Sequence, residues 1–232
     1  MEMEIREINN ICDSELLGLF WKGNEYFPPD NIDDNLRKTI EQLCCIEVVF
    51  SKDKIPNNSS LDLFDFYGQF LNEYFRNIKD EYFLVKTEHK KQIPNKVRSY
   101  KGLIPKEYRN ESYLIDEVHL DGNYTIILSS INPKGEHLKE LLDFFVDRNT
   151  CCILSKYSDR KDFLKTFSEK YMVHDSISRI RYKDLVIDYC MDGEIIYRIG
   201  GDGGQENVTL QIFCLKKHKQ KILDEIKPLM IS

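Results

Sequence analysis

Alanine is missing altogether: none of the 232 residues is Ala. Helices in this chain must therefore draw their propensity from Leu, Lys and Glu. Ile, Lys, Asn and Tyr are abundant instead, a composition that goes with an AT-rich gene and favours an accessory or conflict-related origin over a widespread housekeeping one. Long apolar runs are missing too. No stretch reaches ~18 consecutive apolar residues, so no membrane-spanning helix is expected. The first seven residues, Met1-Glu2-Met3-Glu4-Ile5-Arg6-Glu7, are acidic and charged rather than basic and then apolar, so a signal peptide is not expected and the anticipated compartment is the cytoplasm.

Several chemistries lack their motifs. The seven cysteines, Cys12, Cys44, Cys45, Cys151, Cys152, Cys190 and Cys214, include no CxxC. Adjacent cysteines on a strand point to opposite faces, which suits neither a zinc knuckle nor a redox motif. They read as small buried hydrophobes in a reducing compartment. The histidines, His89, His119, His137, His174 and His218, fall outside metal-ligand spacing. GxSxG and the kinase signatures are absent. No cofactor and no metal are expected. Gly200-Gly201-Asp202-Gly203-Gly204 is followed by Gln205-Glu206 and a strand pattern, which excludes a Walker loop and a dinucleotide loop and leaves a hairpin tip.

What is present is a globular composition, 41% hydrophobic and 31% charged, with an uneven distribution of charge. Residues 1–85 carry 17 acidic and 8 basic side chains, whereas residues 86–110 carry 8 basic and 2 acidic ones. An acidic first third repels nucleic acid and attracts basic partners.

Periodicity predicts a helix over 13–22 and a second one carrying Ile32, Leu36, Ile40 and Leu43, capped at Asp30 or Asn31. A strand follows over 46–50. The strongest helix spans 61–79, with Leu63, Tyr67, Phe70 and Tyr74 on one stripe; core packing is the simplest use of that stripe, a ligand pocket or partner groove the alternatives. Strands are expected over 82–85, 113–120 and 124–128, the last two joined by the hairpin signal Asp121-Gly122-Asn123. A helix from Asn132, a strand over 151–154 and a helix from Ser158 suggest a βαβ unit with a parallel strand pair. Strands over 177–182, 185–190, 194–199 and 208–215 would form a meander, with Asp192-Gly193 as a second hairpin turn, before a closing helix over 217–227. The expected fold is α/β (mixed α+β): a helical N-terminal part, then a mixed sheet with a βαβ unit and an antiparallel C-terminal meander. One domain over 1–232 is the simplest organisation. The alternative is a helical lobe 1–85, a basic connecting loop 86–110 and a sheet core 111–232.

Two clusters are candidate binding surfaces. Asp30, Asp33, Asp34 and Glu41 surround the second helix; acids in a first turn suit the helix dipole, and they would also meet a basic partner. Lys90, Lys91, Lys96, Arg98 and Lys101, interleaved with Tyr100, are a candidate phosphate-binding stretch. Carboxylate-x-lysine, the core of one nuclease motif, follows a strand only at Glu88/Lys90. His119, beside Glu117 and Asp121, and His174, beside Asp175, are candidate general bases.

These features point first to a non-enzymatic binding protein of a bacterial or phage conflict system, most concretely an immunity protein that neutralises a basic toxin by direct contact. One alternative is a metal-dependent enzyme acting on nucleic acid or a nucleotide. The other is a structural subunit of a larger assembly. A protein partner is favoured over nucleic acid, and no membrane is expected.

Overall fold

A computed structural model describes residues 3–13, 33–51, 53, 63–77, 82–89, 115–120, 124–131, 151–155, 169–173, 179–180, 182–201 and 207–230. It is a mixed α/β protein built on an eight-stranded sheet in the order β1-β2-β10-β9-β6-β3-β5-β4. The strands are β1 (Glu4–Ile8), β2 (Leu43–Ser51), β3 (Tyr82–His89), β4 (Ile115–Leu120), β5 (Tyr124–Ile131), β6 (Cys151–Ser155), β9 (Ile196–Gly201) and β10 (Asn207–Leu215). Every neighbouring pair runs antiparallel. β7 (Met172–Val173) and β8 (Arg179–Ile180) form a separate two-stranded ribbon. The helices described over their whole length are α1 (Asp34–Ile40), α2 (Leu63–Asn77), α3 (Tyr182–Met191) and α4 (Lys219–Ile226).

The N-terminal part, expected to be helical, supplies two strands. β1 passes unnoticed in the sequence because Glu4, Arg6 and Glu7 leave little apolar signal; such charges are typical of a strand at a sheet margin. β2 begins at Leu43, which helical spacing had assigned to the preceding helix. The run Leu43-Cys44-Cys45-Ile46 is buried on both faces, so it shows continuous rather than alternating hydrophobicity. α1 ends before it and is capped by Asp33, not by Asp30 or Asn31 as the sequence suggested; the Asp33 side chain accepts hydrogen bonds from the Asn35 and Leu36 backbone N–H groups at 2.6 and 3.4 Å.

β5 and β6 run in the same direction, but β3 lies between them and pairs with both. The expected hydrogen-bonded parallel pair is therefore not formed. The helices expected between and after these strands, and the first helix beyond Asp13, lie outside the described residues. The hairpin β4–β5 forms with Leu120 opposite Tyr124. β9 and β10 pair across the glycine cluster, with Gly201 opposite Val208.

The C-terminal meander is shorter than expected because 185–190 is helix, not strand. Leu185, Val186, Tyr189 and Cys190 are buried, at positions that recur with helical rather than twofold spacing. Asp192-Gly193 stops this helix instead of turning a hairpin. Gly193 has φ 88°, its N–H donates to the Cys190 carbonyl, and the Glu194 N–H donates to the Tyr189 carbonyl. This double bond to the last turn is the Schellman arrangement, which needs a left-handed residue at that position.

The core lies between one face of β1-β2-β10-β9 and the helices α2 and α4. Cys44, Ile46, Val48 and Phe50 of β2 and Val208, Leu210, Ile212 and Cys214 of β10 meet Tyr67, Phe70, Leu71, Tyr74 and Phe75 of α2 and Ile222, Leu223 and Ile226 of α4. The aromatic stripe of α2 is thus core. Its rings contact Phe50 and Tyr197 at centroid distances of 5.0 Å (Phe50–Tyr67), 5.1 Å (Phe75–Tyr197) and 5.8 Å (Tyr74–Tyr197), all edge-on, the geometry that ring quadrupoles favour. α3 packs on β9 and β10. Its buried side chains are not part of that core, which places it on the opposite face, near Cys45, Ile196 and Phe213.

Candidate functional site

The face opposite α2 and α4 carries a polar row across four strands. Arg6 of β1 lies opposite Glu47 of β2, Glu47 opposite Gln211 of β10, and Gln211 opposite Arg198 of β9. Glu47, Gln211 and Arg198 lie within largely apolar stretches, whereas Arg6 sits among the charges of β1. The strand pleat brings all four to the same face. Arg198 Nη1 donates to Gln211 Oε1 at 2.6 Å, and Gln211 Nε2 donates to Glu47 Oε1 at 2.7 Å. Gln211 is only 7% exposed. The row is hydrogen-bonded from β9 to β2, as a buried carboxamide beside two charges requires.

At the sheet margin the row reaches solvent. Arg6 turns along its own strand, with Nε donating to Glu4 Oε1 at 2.7 Å and Nη2 to Glu4 Oε2 at 3.1 Å. That hydrogen bond raises the Arg6 pKa, with the charges of Glu4 and Glu47 adding to it. The inner groups of the row bond to one another, and of the four only Arg6 is exposed, so the row offers solvent its marginal guanidinium. The signal that could have found part of it is the charged or carboxamide residue inside three largely apolar strands: Glu47 in LCCIEVVF, Gln211 in VTLQIFCL, Arg198 in IIYRIG. A charge at the centre of a buried strand demands a partner.

Beside the row, α1 carries the acids singled out in the sequence. Asp33, Asp34 and Glu41 are all exposed. Asp33 is engaged as the helix cap. Asp34 and Glu41 sit at opposite ends of α1, about 10 Å apart along its axis at 1.5 Å per residue, so they do not form one tight patch. Asp30 lies outside the described residues. α1 packs on the turn Ile11–Asp13 that follows β1 and leads directly into β2. Glu4 and Glu7 of β1 are likewise exposed, and Glu7 accepts from Lys219 Nζ at 2.8 Å.

Lys90, Lys91, Lys96, Arg98 and Lys101 lie outside the described residues, as does His174. Glu88 lies on β3 opposite Thr125 of β5, and His119 of β4 lies opposite the same Thr125. The register thus brings Glu88 and His119 to one transverse row, two strands and about 10 Å apart.

Two further features stand apart from the row. Asp188 of α3 accepts from Tyr171 Oη at 3.0 Å and pairs with Lys170 Nζ at 2.7 Å. Burial, and then the Asp188 carboxylate, push the Tyr171 phenol up to about 12. A recess of about 190 Å³ opens between α2 and the C-terminal turn, lined by Met3, Phe66, Gln69, Phe70, Glu73, Leu229 and Met230. Among the described residues no group of three or more His, Cys, Asp or Glu side chains could hold a metal ion, and no helix is long and apolar enough to cross a membrane. No protein-family model matches the chain, and neither a curated protein nor a solved structure does.

Proposed function

We propose that this is a non-enzymatic binding protein that neutralises a basic protein partner by direct contact, in the manner of an immunity protein of a bacterial or phage conflict system, acting inside the cell. The observation that carries the reading is the placement of exposed acids at one margin of the sheet. Glu4 and Glu7 lie on the marginal strand β1; Asp33, Asp34 and Glu41 lie on or flank α1, which joins the neighbouring strand β2. Glu4 and Glu7 are paired with Arg6 and Lys219 and Asp33 caps α1, which leaves Asp34 and Glu41 as the acids that would speed encounter with a cationic partner and disfavour nucleic acid. Arg6, the exposed end of the polar row, adds a guanidinium beside them, which gives register rather than bulk affinity. A single folded unit over the whole chain, with a helical crossover between β5 and β6, is the architecture that goes with this reading.

The test is affinity capture from the cells that carry the gene, comparing the wild-type chain with the double variant Asp34→Lys, Glu41→Lys. The expected result is a basic polypeptide retained by the wild type at low salt, lost at high salt and lost from the variant. Equal capture by both chains, or an enrichment of nucleic acid, would sink the proposal.

A further inference from the structure

Cys44 and Cys214 occupy directly opposed positions on β2 and β10. Both are fully buried, and their Sγ atoms are 3.6 Å apart. Opposed residues of an antiparallel pair have Cα atoms about 4.5–5.5 Å apart, inside the ~4.4–6.8 Å range that a disulfide spans. Joining the two sulfurs, at ~2.05 Å in a disulfide, therefore needs a side-chain movement of roughly 1.5 Å and no displacement of the strands. Cys45, the next residue on β2, faces the other side of the sheet; burial and the charge of Glu47 raise its thiol pKa well above the ordinary value.

The charges of Lys219 and Lys216 act on Cys44 and favour it as the attacking member, although its Sγ also reaches the Cys214 carbonyl oxygen at 3.7 Å. Its thiol pKa is lowered by the hydrogen bond with Cys214 and by the ammonium groups of Lys219 and Lys216, whereas that of Cys214 is raised by the same contact and by burial. Lys219, at the start of α4, is held over this end of the sheet by Glu7 Oε2 and Asn9 Oδ1, each at 2.8 Å. A thiolate beside a fixed cation is the form that oxidants attack, and a neighbouring thiol resolves the product.

We propose that Cys44 and Cys214 form an oxidation site for a hydroperoxide-class oxidant, with Cys44 the attacking thiol and Cys214 the resolving one. The Cys44 thiolate attacks one oxygen of hydrogen peroxide, the O–O bond breaks, and hydroxide leaves to take up the proton released from Cys44. The Cys44 sulfenic acid is then displaced at sulfur by Cys214, forming the S–S bond and releasing the second water. Two thiols are oxidised and one peroxide is reduced to two waters. Peroxide is close to water in size, which suits a fully buried pair better than a bulky disulfide does. The product ties together two strands whose cysteines stand 170 residues apart in sequence.

The test exposes the native protein to graded hydrogen peroxide, then reads intact mass and a non-reducing peptide map. Met191, exposed at 40%, is the internal dosimeter, since its sulfoxide reports an effective dose. The expected result is the loss of two hydrogens per chain, a cross-linked peptide joining Cys44 to Cys214, reversal by dithiothreitol, and no cross-link in Cys214→Ser. Full conversion of Met191 with both thiols still titratable after denaturation would overturn the proposal. So would a cross-link that joins other cysteines.

Discussion

The two faces of β1-β2-β10-β9 solve the same packing problem differently. Under α2 and α4 the face is apolar except at marginal Glu7, and aromatic rings from α2 lock onto Phe50 and Tyr197. The opposite face is interrupted at its middle by Glu47, Gln211 and Arg198, with buried Cys45, Phe213 and Ile196 on one side under α3. The first arrangement is non-directional and gains in proportion to area. The second gains little net free energy, because desolvating the charges offsets their attraction, but it tolerates only one register. A slip of β10 by one residue would carry Gln211 to the apolar face and leave Glu47 and Arg198 without it.

The comparison can be broken most severely on the apolar face. Phe75 is fully buried against Tyr74 and Tyr197, so Phe75→Ala is expected to cost about 3–5 kcal/mol in urea unfolding; a cost under 1 kcal/mol would mean that the α2 face is not the main core. On the polar face, Gln211→Leu removes both hydrogen bonds of the row and is expected to cost about 1–3 kcal/mol. Replacing Glu47, Gln211 and Arg198 together by Leu should recover most of that loss, and a triple variant less stable than the single one would show that the row contributes more than register. The smallest effect concerns α3, which covers this face. Tyr171→Phe loses the bond to Asp188, about 1–2 kcal/mol at neutral pH. The Tyr171 phenol titrates near 12 in the fold and near 10 when unfolded. The unfolded chain therefore releases this proton first as pH rises, so the Tyr171 contribution is full below pH 10 and declines towards pH 12. Unfolding curves of the two chains should converge over that window, and a constant gap would refute the assignment.

The faces also differ in how far the sequence revealed them. The α2 helix and its stripe, the hairpin at Asp121-Gly122-Asn123 and the β9–β10 pairing were readable, because helical or twofold periodicity and turn residues act locally. β1 was not readable, since a marginal strand replaces apolar signal with charge. α3 was mistaken for a strand because Val186 and Ile187 are β-branched and Leu185 is apolar, and its helical form is set by packing on β9 and β10. The polar row is a property of register: nothing local to Arg6, Glu47, Gln211 or Arg198 says that four strands distant in sequence will align them. The acids around α1 were visible, but their separation to opposite helix ends, and the use of Asp33 as a cap, required the fold.

The pairing of β2 with β10 has a consequence during synthesis. Ser51 and its partner Asn207 are made on the order of 10–30 s apart at ~5–20 residues per second. Throughout that interval the nascent chain carries β2, apolar on both sides, with its inner edge vacant. Sheets that depend on such distant pairing assemble slowly, so this segment is the one that a ribosome-associated chaperone would be expected to hold.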